Sequence, residues 1–271
     1  MTLSPAAFMA SAPKPLNGNT AWAARYANEI RRVFHEHAAQ APRSLQLHLG
    51  PSELGVECDR QVAGKMAGCP TTNHVFDPWP SIRGTALHAW AADAFTADNV
   101  RKNVMRWVAE QRVTPHPDHP GTADLYDAQE RSVDDHKFLG ESSLAKVRSA
   151  KGPSRQYRVQ LHLYGLGYRN MGLPVDRVVL LAYPATAGSL DGLYVWEQAH
   201  RTSDIDDLLQ VVFEQTATRQ HYAREIHAGR LQLSQVPSTP DSDLCYFCPF
   251  YRPQSAKDGG VGCPGTAGSN G

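Results

Sequence analysis

GTADLYDAQERSVDDHKF, residues 121–138, is the stretch on which the fold turns. In GTADLYD (121–127) and RSVDDHKF (131–138) apolar residues alternate with, or lead into, acids, the pattern of two short strands. Asp127, Ala128, Gln129 and Glu130 between them predict the turn of a hairpin. Such a hairpin sets Asp124 and Asp135 on adjacent strands, where two carboxylates can share a hard divalent cation such as Mg²⁺ or Mn²⁺. Lys137 follows Asp135 by two residues, and positions i and i+2 of a strand share a face. Its ammonium is therefore expected at the same ion site, where it can orient an attacking water or offset negative charge. Asp134 is a rival carboxylate, but the pleat should turn it to the opposite face. Glu110, on the preceding strand, reads as structural before auxiliary.

Working outward, the upstream segments have helical spacing. Residues 19–40 place Trp22, Tyr26, Ile30 and Val33 on one stripe. A second helix is expected from Pro51 with Ser52 as its cap. A third runs from Ile82, with Ala86, Leu87, Trp90, Ala91 and Ala94 as its apolar side. A strand follows in MRWVAEQRVT from Met105. Downstream, the segment from Tyr157 returns to helical spacing, and RVVLLAYP from Arg177 and LYVWEQAH from Leu193 read as two more strands. A long amphipathic helix then starts near Ser203 and Asp206, in a capping-box pattern, and stops at Gly229. Helices, strands, helix, strands, helix and a Cys-rich coda predict an α/β fold: a central mixed β-sheet flanked by helices.

Three further features surround the acidic hairpin. His88 sits on the preceding helix in GTALH and offers a ring nitrogen to a metal. Gln160 and Tyr164 lie one turn apart on one helix face. They border the core or, if turned to the ion site, bind phosphate or hold Lys137. The segment KVRSAKGPSRQYR carries Lys146, Arg148, Lys151, Arg155 and Arg158 without an acid. In isolation it is a solvated loop; between the DxK strand and the Gln160 helix it is placed to track phosphates.

The ordered set GxxxH, GxxD, DxK and QxxxY resembles the motif series of RecB-like nucleases of the PD-(D/E)XK superfamily, from about Leu47 to Cys263. That group includes nuclease domains of recombination helicases, CRISPR-associated adaptation nucleases and phage-type exonucleases. The resemblance implies a restriction-endonuclease-like core. It implies that His88, Asp124 and Asp135 bind Mg²⁺ or Mn²⁺, that Lys137 assists the attacking water, and that Gln160 and Tyr164 belong to the active site. Relatives often carry Thr or Ser after the lysine, where this chain has Phe138.

Five cysteines, Cys58, Cys69, Cys245, Cys248 and Cys263, are an odd number and argue against a disulfide framework. One cysteine before the nuclease motifs and three after them are similar to the iron–sulfur subset of the family. There four thiolates, here Cys58, Cys245, Cys248 and Cys263, hold a [4Fe–4S] cluster that clasps the two ends together. Zn²⁺ would accept the same sulfurs. Cys69 reads as an ordinary thiol, or as a substitute for Cys58.

Composition bounds the rest. At 271 residues and 41% hydrophobic the chain can build one large α/β domain with appendages, or at most two small domains. The expected division is a flexible N-terminus at 1–18, a nuclease domain at 19–244, a cluster-binding segment at 245–264 packing on the Cys58 helix, and a flexible tail at 265–271. No apolar run approaches the roughly 18 residues of a membrane span, and no secretory signal is seen, so a cytoplasmic protein without membrane association is expected. A formal net charge of zero confines any DNA surface to a local groove. The expected activity is a metal-dependent exonuclease acting on single-stranded DNA or DNA ends, in the recombination, replication or repair of a phage or mobile element. Without a GxxxxGK[ST] loop, any helicase, recombinase or integrase is a separate partner. The alternatives are a CRISPR-adaptation-like end trimmer and an inactive, cluster-bearing DNA-binding module.

Overall fold

The computed structural model describes residues 21–40, 49–73 and 77–268. By its internal contacts the chain divides into two units, Met1–Leu45 and Gln46–Gly271. The first contains helix α1 (Ala21–Gln40), none of whose residues is buried. The expected stripe of Trp22, Tyr26, Ile30 and Val33 is exposed on it, with Trp22 stacked on Tyr26. The unit boundary falls inside the expected 19–244 domain. The segment expected to be flexible at 1–18 lies outside the described residues.

The second unit is α/β. Its elements are α2 (Pro51–Leu54), α3 (Asp59–Met66), α4 (Trp79–Lys102), β1 (Trp107–Val113), β2 (Gly121–Asp127), β3 (Ser132–Leu139), α5 (Glu141–Arg148), α6 (Arg155–Asn170), β4 (Arg177–Pro184), β5 (Tyr194–Ala199), α7 (Ser203–His227), α8 (Ser242–Tyr246) and α9 (Ser255–Asp258). The strands form one mixed sheet in the order β1-β2-β3-β4-β5. All neighbours are antiparallel except β3 and β4, which pair in parallel. A parallel pair needs a crossover of a dozen or more residues, and α5 and α6 supply it. Val178, Leu180 and Ala182 of β4 are fully buried on one face and Val179 is buried on the other, as suits an interior strand covered on both faces, whereas burial alternates along β5.

Helix α6 is buried nearly all round because it joins two cores. Leu161, Tyr164 and Tyr168 pack with Ala123, Val133 and Leu180 of the sheet. Val159 and Leu163 pack with Leu54, Val62 and Val212 of the outer helices. Each fully buried aliphatic side chain contributes about 1.5–3 kcal/mol, so α6 is the main strut of the molecule.

Four local expectations are corrected. The helix expected from Pro51 breaks in two at residues 55–58. Arg219 of α7 is fully buried and takes the carbonyls of Leu54, Val56 and Glu57, which therefore cannot continue a helical ladder. Ser52 is inside α2, and the cap position belongs to Gly50. The long helix α7 is capped at Thr202, with Ser203 already helical. The basic segment expected as a loop begins inside a helix, because Leu144 and Val147 give α5 a buried side. Gly229, with φ +70, does end the region of α7. No helix among the described residues is long and apolar enough to cross a membrane.

Candidate functional site

Strands β2 and β3 pair only as far as Leu125↔Asp134. Beyond that point β2 continues against β1 alone and β3 against β4 alone, so the sheet opens into a fork. Asp124 stands at its base. Its Oδ2 accepts the His136 backbone N–H at 2.8 Å, so a side chain takes the place of a ladder partner. Its Oδ1 lies 3.3 Å from Nδ1 of His88, delivered by α4. Burial alone would raise the Asp124 carboxyl, but His88, Lys137 and the His136 N–H more than offset it and hold it below its ordinary value. The hydrogen bond to Asp124 raises His88 in turn.

Glu110 completes this corner. The β1–β2 register, Ala109↔Leu125 and Gln111↔Ala123, sets it opposite Asp124. It has φ +52, a left-handed conformation uncommon for any residue with a side chain and unusual inside a strand. Ligand atoms of His88, Glu110 and Asp124 all lie within 4.8 Å of one another. Oxygens bound at about 2.0–2.1 Å to one Mg²⁺ are at most about 4.2 Å apart, so a slight contraction would close the three on an ion. Burial and the charge of Asp124 both raise the Glu110 carboxyl. The sequence pattern undervalues Glu110; the only signal is its distance from Asp124, which matters once β1 and β2 are known to pair in this register.

Asp135 and Lys137 lie beside the triad. Asp135 is 1% exposed. One carboxylate oxygen accepts the Gln160 side-chain N–H at 2.8 Å, and the other forms an ion pair with Lys137. Burial raises the Asp135 carboxyl, and the nearby Asp124 charge adds to this. Burial alone would lower Lys137, but the carboxylates of Asp135 and Asp124 reverse the effect and hold the ammonium above its ordinary value. The ammonium also lies 5.2 Å from the centre of the Tyr157 ring, and Tyr164 accepts a long 3.5 Å bond from Gln160. Asp134 faces away, as expected, and takes a hydrogen bond from Ser132. His136, not singled out in the sequence, is wedged against Phe95, Tyr183 and His88, and burial lowers it to about 4. It packs between those rings on the His88 side of the fork.

The two motif glycines differ. A Cβ at Gly121 of GTADLYD would meet Pro51 Cδ at 2.6 Å, so glycine is needed for α2 to close over the strand. At Gly84 of GTALH, four residues before His88, a Cβ would meet nothing within 4 Å among the described residues.

The basic residues differ in their surroundings. The Arg148 guanidinium donates to the Gly192 carbonyl and lies over the Tyr194 ring. Arg155 donates to the Gly55 carbonyl and to Gln215. Lys146 is on the exposed side of α5, Lys151 is exposed in the turn after it, and Arg158 is half-buried on the first turn of α6.

Far along the chain, Cys58, Cys245, Cys248 and Cys263 line one pocket, which Cys69 does not. Cys69 packs instead on the apolar side of Cys248, Phe250 and Cys263. The sulfurs are not drawn tightly together: among the described residues no three of them lie within 4.8 Å of one another. Three have N–H donors aimed at them: Arg60 Nη1 to Cys263 Sγ at 3.0 Å, the Asp241 backbone to Cys245 Sγ at 3.4 Å, and the Phe250 backbone to Cys248. Burial pushes the Cys248 thiol up to about 11, and the charges of Cys58, Cys263 and Cys245 add to burial. Four ionised sulfurs here would therefore need a cation among them. Gly265–Gly268, at the start of the expected loose tail, forms a 3₁₀ turn against Cys245.

No family model and no curated protein matches the chain. Among solved structures it is similar to a phage related exonuclease from Haemophilus somnus 129PT, at 13% identity and a TM-score of 0.43, over 64% of this chain and 82% of that one.

Proposed function

We propose that this protein is a divalent-metal-dependent deoxyribonuclease with a restriction-endonuclease-like core, an exonuclease that hydrolyses phosphodiester bonds of single-stranded DNA or of DNA ends. The observation that carries this reading is the convergence of Glu110, Asp124, Asp135, His88 and Lys137 on one fork of the sheet. Their oxygen-rich donor set suits Mg²⁺ or Mn²⁺. His88, Asp124 and Asp135 would hold the ion, with Glu110 as a further carboxylate. When bound, such an ion neutralises phosphate charge and acidifies a water. The chain's own residues do the rest. Lys137, kept protonated by Asp135 and Asp124, cannot act as a base; it donates hydrogen bonds to the attacking water and offsets charge developing on the phosphate. Gln160 fixes one oxygen of Asp135, so the other stays on the ammonium.

The same reading assigns Cys58, Cys245, Cys248 and Cys263 to a [4Fe–4S] cluster. A shared pocket and three N–H donors on sulfur support it. Zn²⁺, which takes four thiolates at about 2.3 Å, is the alternative occupant.

Cleavage of end-labelled single- and double-stranded DNA and of a closed circle, with Mn²⁺, Mg²⁺ or EDTA, tests the nuclease. Linear DNA should be degraded only with metal, and the circle should survive. Lys137→Ala and Asp135→Ala should each reduce cleavage by about a thousandfold or more while DNA binding persists. Undiminished cleavage by both variants would refute the mechanism, and a cut circle would refute the exonuclease assignment.

A further inference from the structure

Among the described residues, Arg60 is the one side chain that donates to a cysteine sulfur of the pocket, and its position is over-determined. Nε donates to the Val236 carbonyl at 2.9 Å and Nη2 to the Ser234 carbonyl at 2.9 Å. Its own backbone N–H donates to the Pro237 carbonyl at 2.9 Å. Those bonds lock the guanidinium plane, and the remaining nitrogen, Nη1, reaches Cys263 Sγ at 3.0 Å. Arg60 itself lies on the first turn of α3, two residues after Cys58. One rigid fork thus joins the helix that follows the first cysteine, the 234–237 turn and the last cysteine.

A neutral thiol is a weak acceptor and gives a guanidinium little reason to be so held. A metal-bound thiolate is a strong one, and charge-assisted bonds are roughly twice as strong as neutral ones. Hydrogen bonds to ligand sulfurs are also a recognised control on cluster potential.

We infer that Arg60 is a positioning residue that raises the reduction potential of the cluster by donating a charged hydrogen bond to Cys263. This rests on the cluster assignment above. Reduction adds an electron and makes the cluster and its thiolates more negative. A fixed cationic donor stabilises that reduced form more than the oxidised one, so its removal must shift the potential downwards. Arg60 touches no group of the nuclease fork, so the same change should leave DNA cleavage by loaded protein unaltered.

The test uses the full chain purified without oxygen as wild type, Arg60→Lys and Arg60→Gln. Iron and sulfide are counted, and the midpoint is measured by dithionite titration. The expected result is equal iron content, a more negative midpoint for Arg60→Gln, and an intermediate one for Arg60→Lys, which keeps the charge without the fork. Equal midpoints in three iron-loaded proteins would overturn the inference and leave the cluster standing. If neither variant folds with iron, Arg60 serves the fold alone and the inference is likewise overturned. Wild type without iron would remove the cluster assignment itself, with the nuclease reading untouched.

Discussion

At the β2–β3 fork the acids come from neighbouring strands, and the side chains already hold one another: Asp124 on the His136 N–H, Asp135 on Gln160 and Lys137. At the pocket the cysteines come from opposite ends of the second unit, Cys58 on a turn before α3, Cys245 on α8, and Cys248 and Cys263 on the segments after it. Their sulfurs share no hydrogen-bond donor among the described residues, and burial with the charges of the other three sulfurs disfavours ionisation of Cys248. On the proposed function, the sheet builds the first centre, which would stand without its ion, whereas the second would be closed by its cluster. A cross-link between distant segments stabilises by restricting the unfolded chain, whereas a metal bound to a finished site contributes little beyond mass action.

The largest expected effect follows from that contrast. Cys248→Ser should lower folding stability by about 2–4 kcal/mol, the range of a long-loop cross-link, and melt the protein well below wild type. EDTA at constant iron content should leave the melting temperature almost unchanged while stopping cleavage. Thermal melts of the three samples decide it. Equal losses from EDTA and from Cys248→Ser would show that the fork, too, depends on its ion.

A second difference lies within β3, between neighbours facing opposite ways. Asp135 has the Lys137 ammonium, whereas Asp134, 7% exposed, receives the neutral Ser132 hydroxyl. Burial raises Asp134 to about 6. A carboxyl raised in the folded state binds its proton more tightly there than in the unfolded chain. Its stabilising contribution is therefore complete below about pH 4, and is lost as pH rises through about 6. Asp134→Asn removes this titration. At pH 7.5 the variant should be more stable than wild type by about 3 kcal/mol, and the gap should shrink towards pH 4. Denaturant unfolding across pH 4–8 checks this; a gap independent of pH would place the ionisation cost elsewhere.

Much of the fork is legible in the sequence because strands enforce a simple geometry. Alternation alone separates Asp134 from Asp135 and aligns Asp135 with Lys137, so the DxK face can be read from the order of the residues. Helix spacing likewise places Gln160 over Tyr164, although the grip of Gln160 on Asp135 depends on how α6 crosses the sheet. Glu110 is obscure because its place depends on inter-strand register and on a left-handed backbone that no local pattern announces. The break at residues 55–58 is equally hidden, since it is imposed by Arg219 from α7, some 160 residues away. The basic segment misleads for another reason: charge composition describes its surface, while Leu144 and Val147 decide its structure.

Glu110 provides the finest division between the centres, because here the fold bears strain for a carboxylate whose value lies in the ion it could hold. A non-glycine residue at φ +52 costs about 1 kcal/mol or more, and glycine adopts that conformation freely. Glu110→Gly should therefore be about 1 kcal/mol more stable than Glu110→Ala, which keeps the strain and loses the carboxylate alike. Both variants should bind Mn²⁺ at least about tenfold more weakly than wild type, measured by calorimetry on protein freed of divalent metal. If both retain wild-type affinity, Glu110 is a surface acid and the ion is held by His88, Asp124 and Asp135 without it. If affinity falls in both but the two are equally stable, Glu110 is a ligand and its backbone is unstrained. The stability difference and the affinity loss have separate causes, one in the φ angle and one in the carboxylate, so a single pair of variants resolves them.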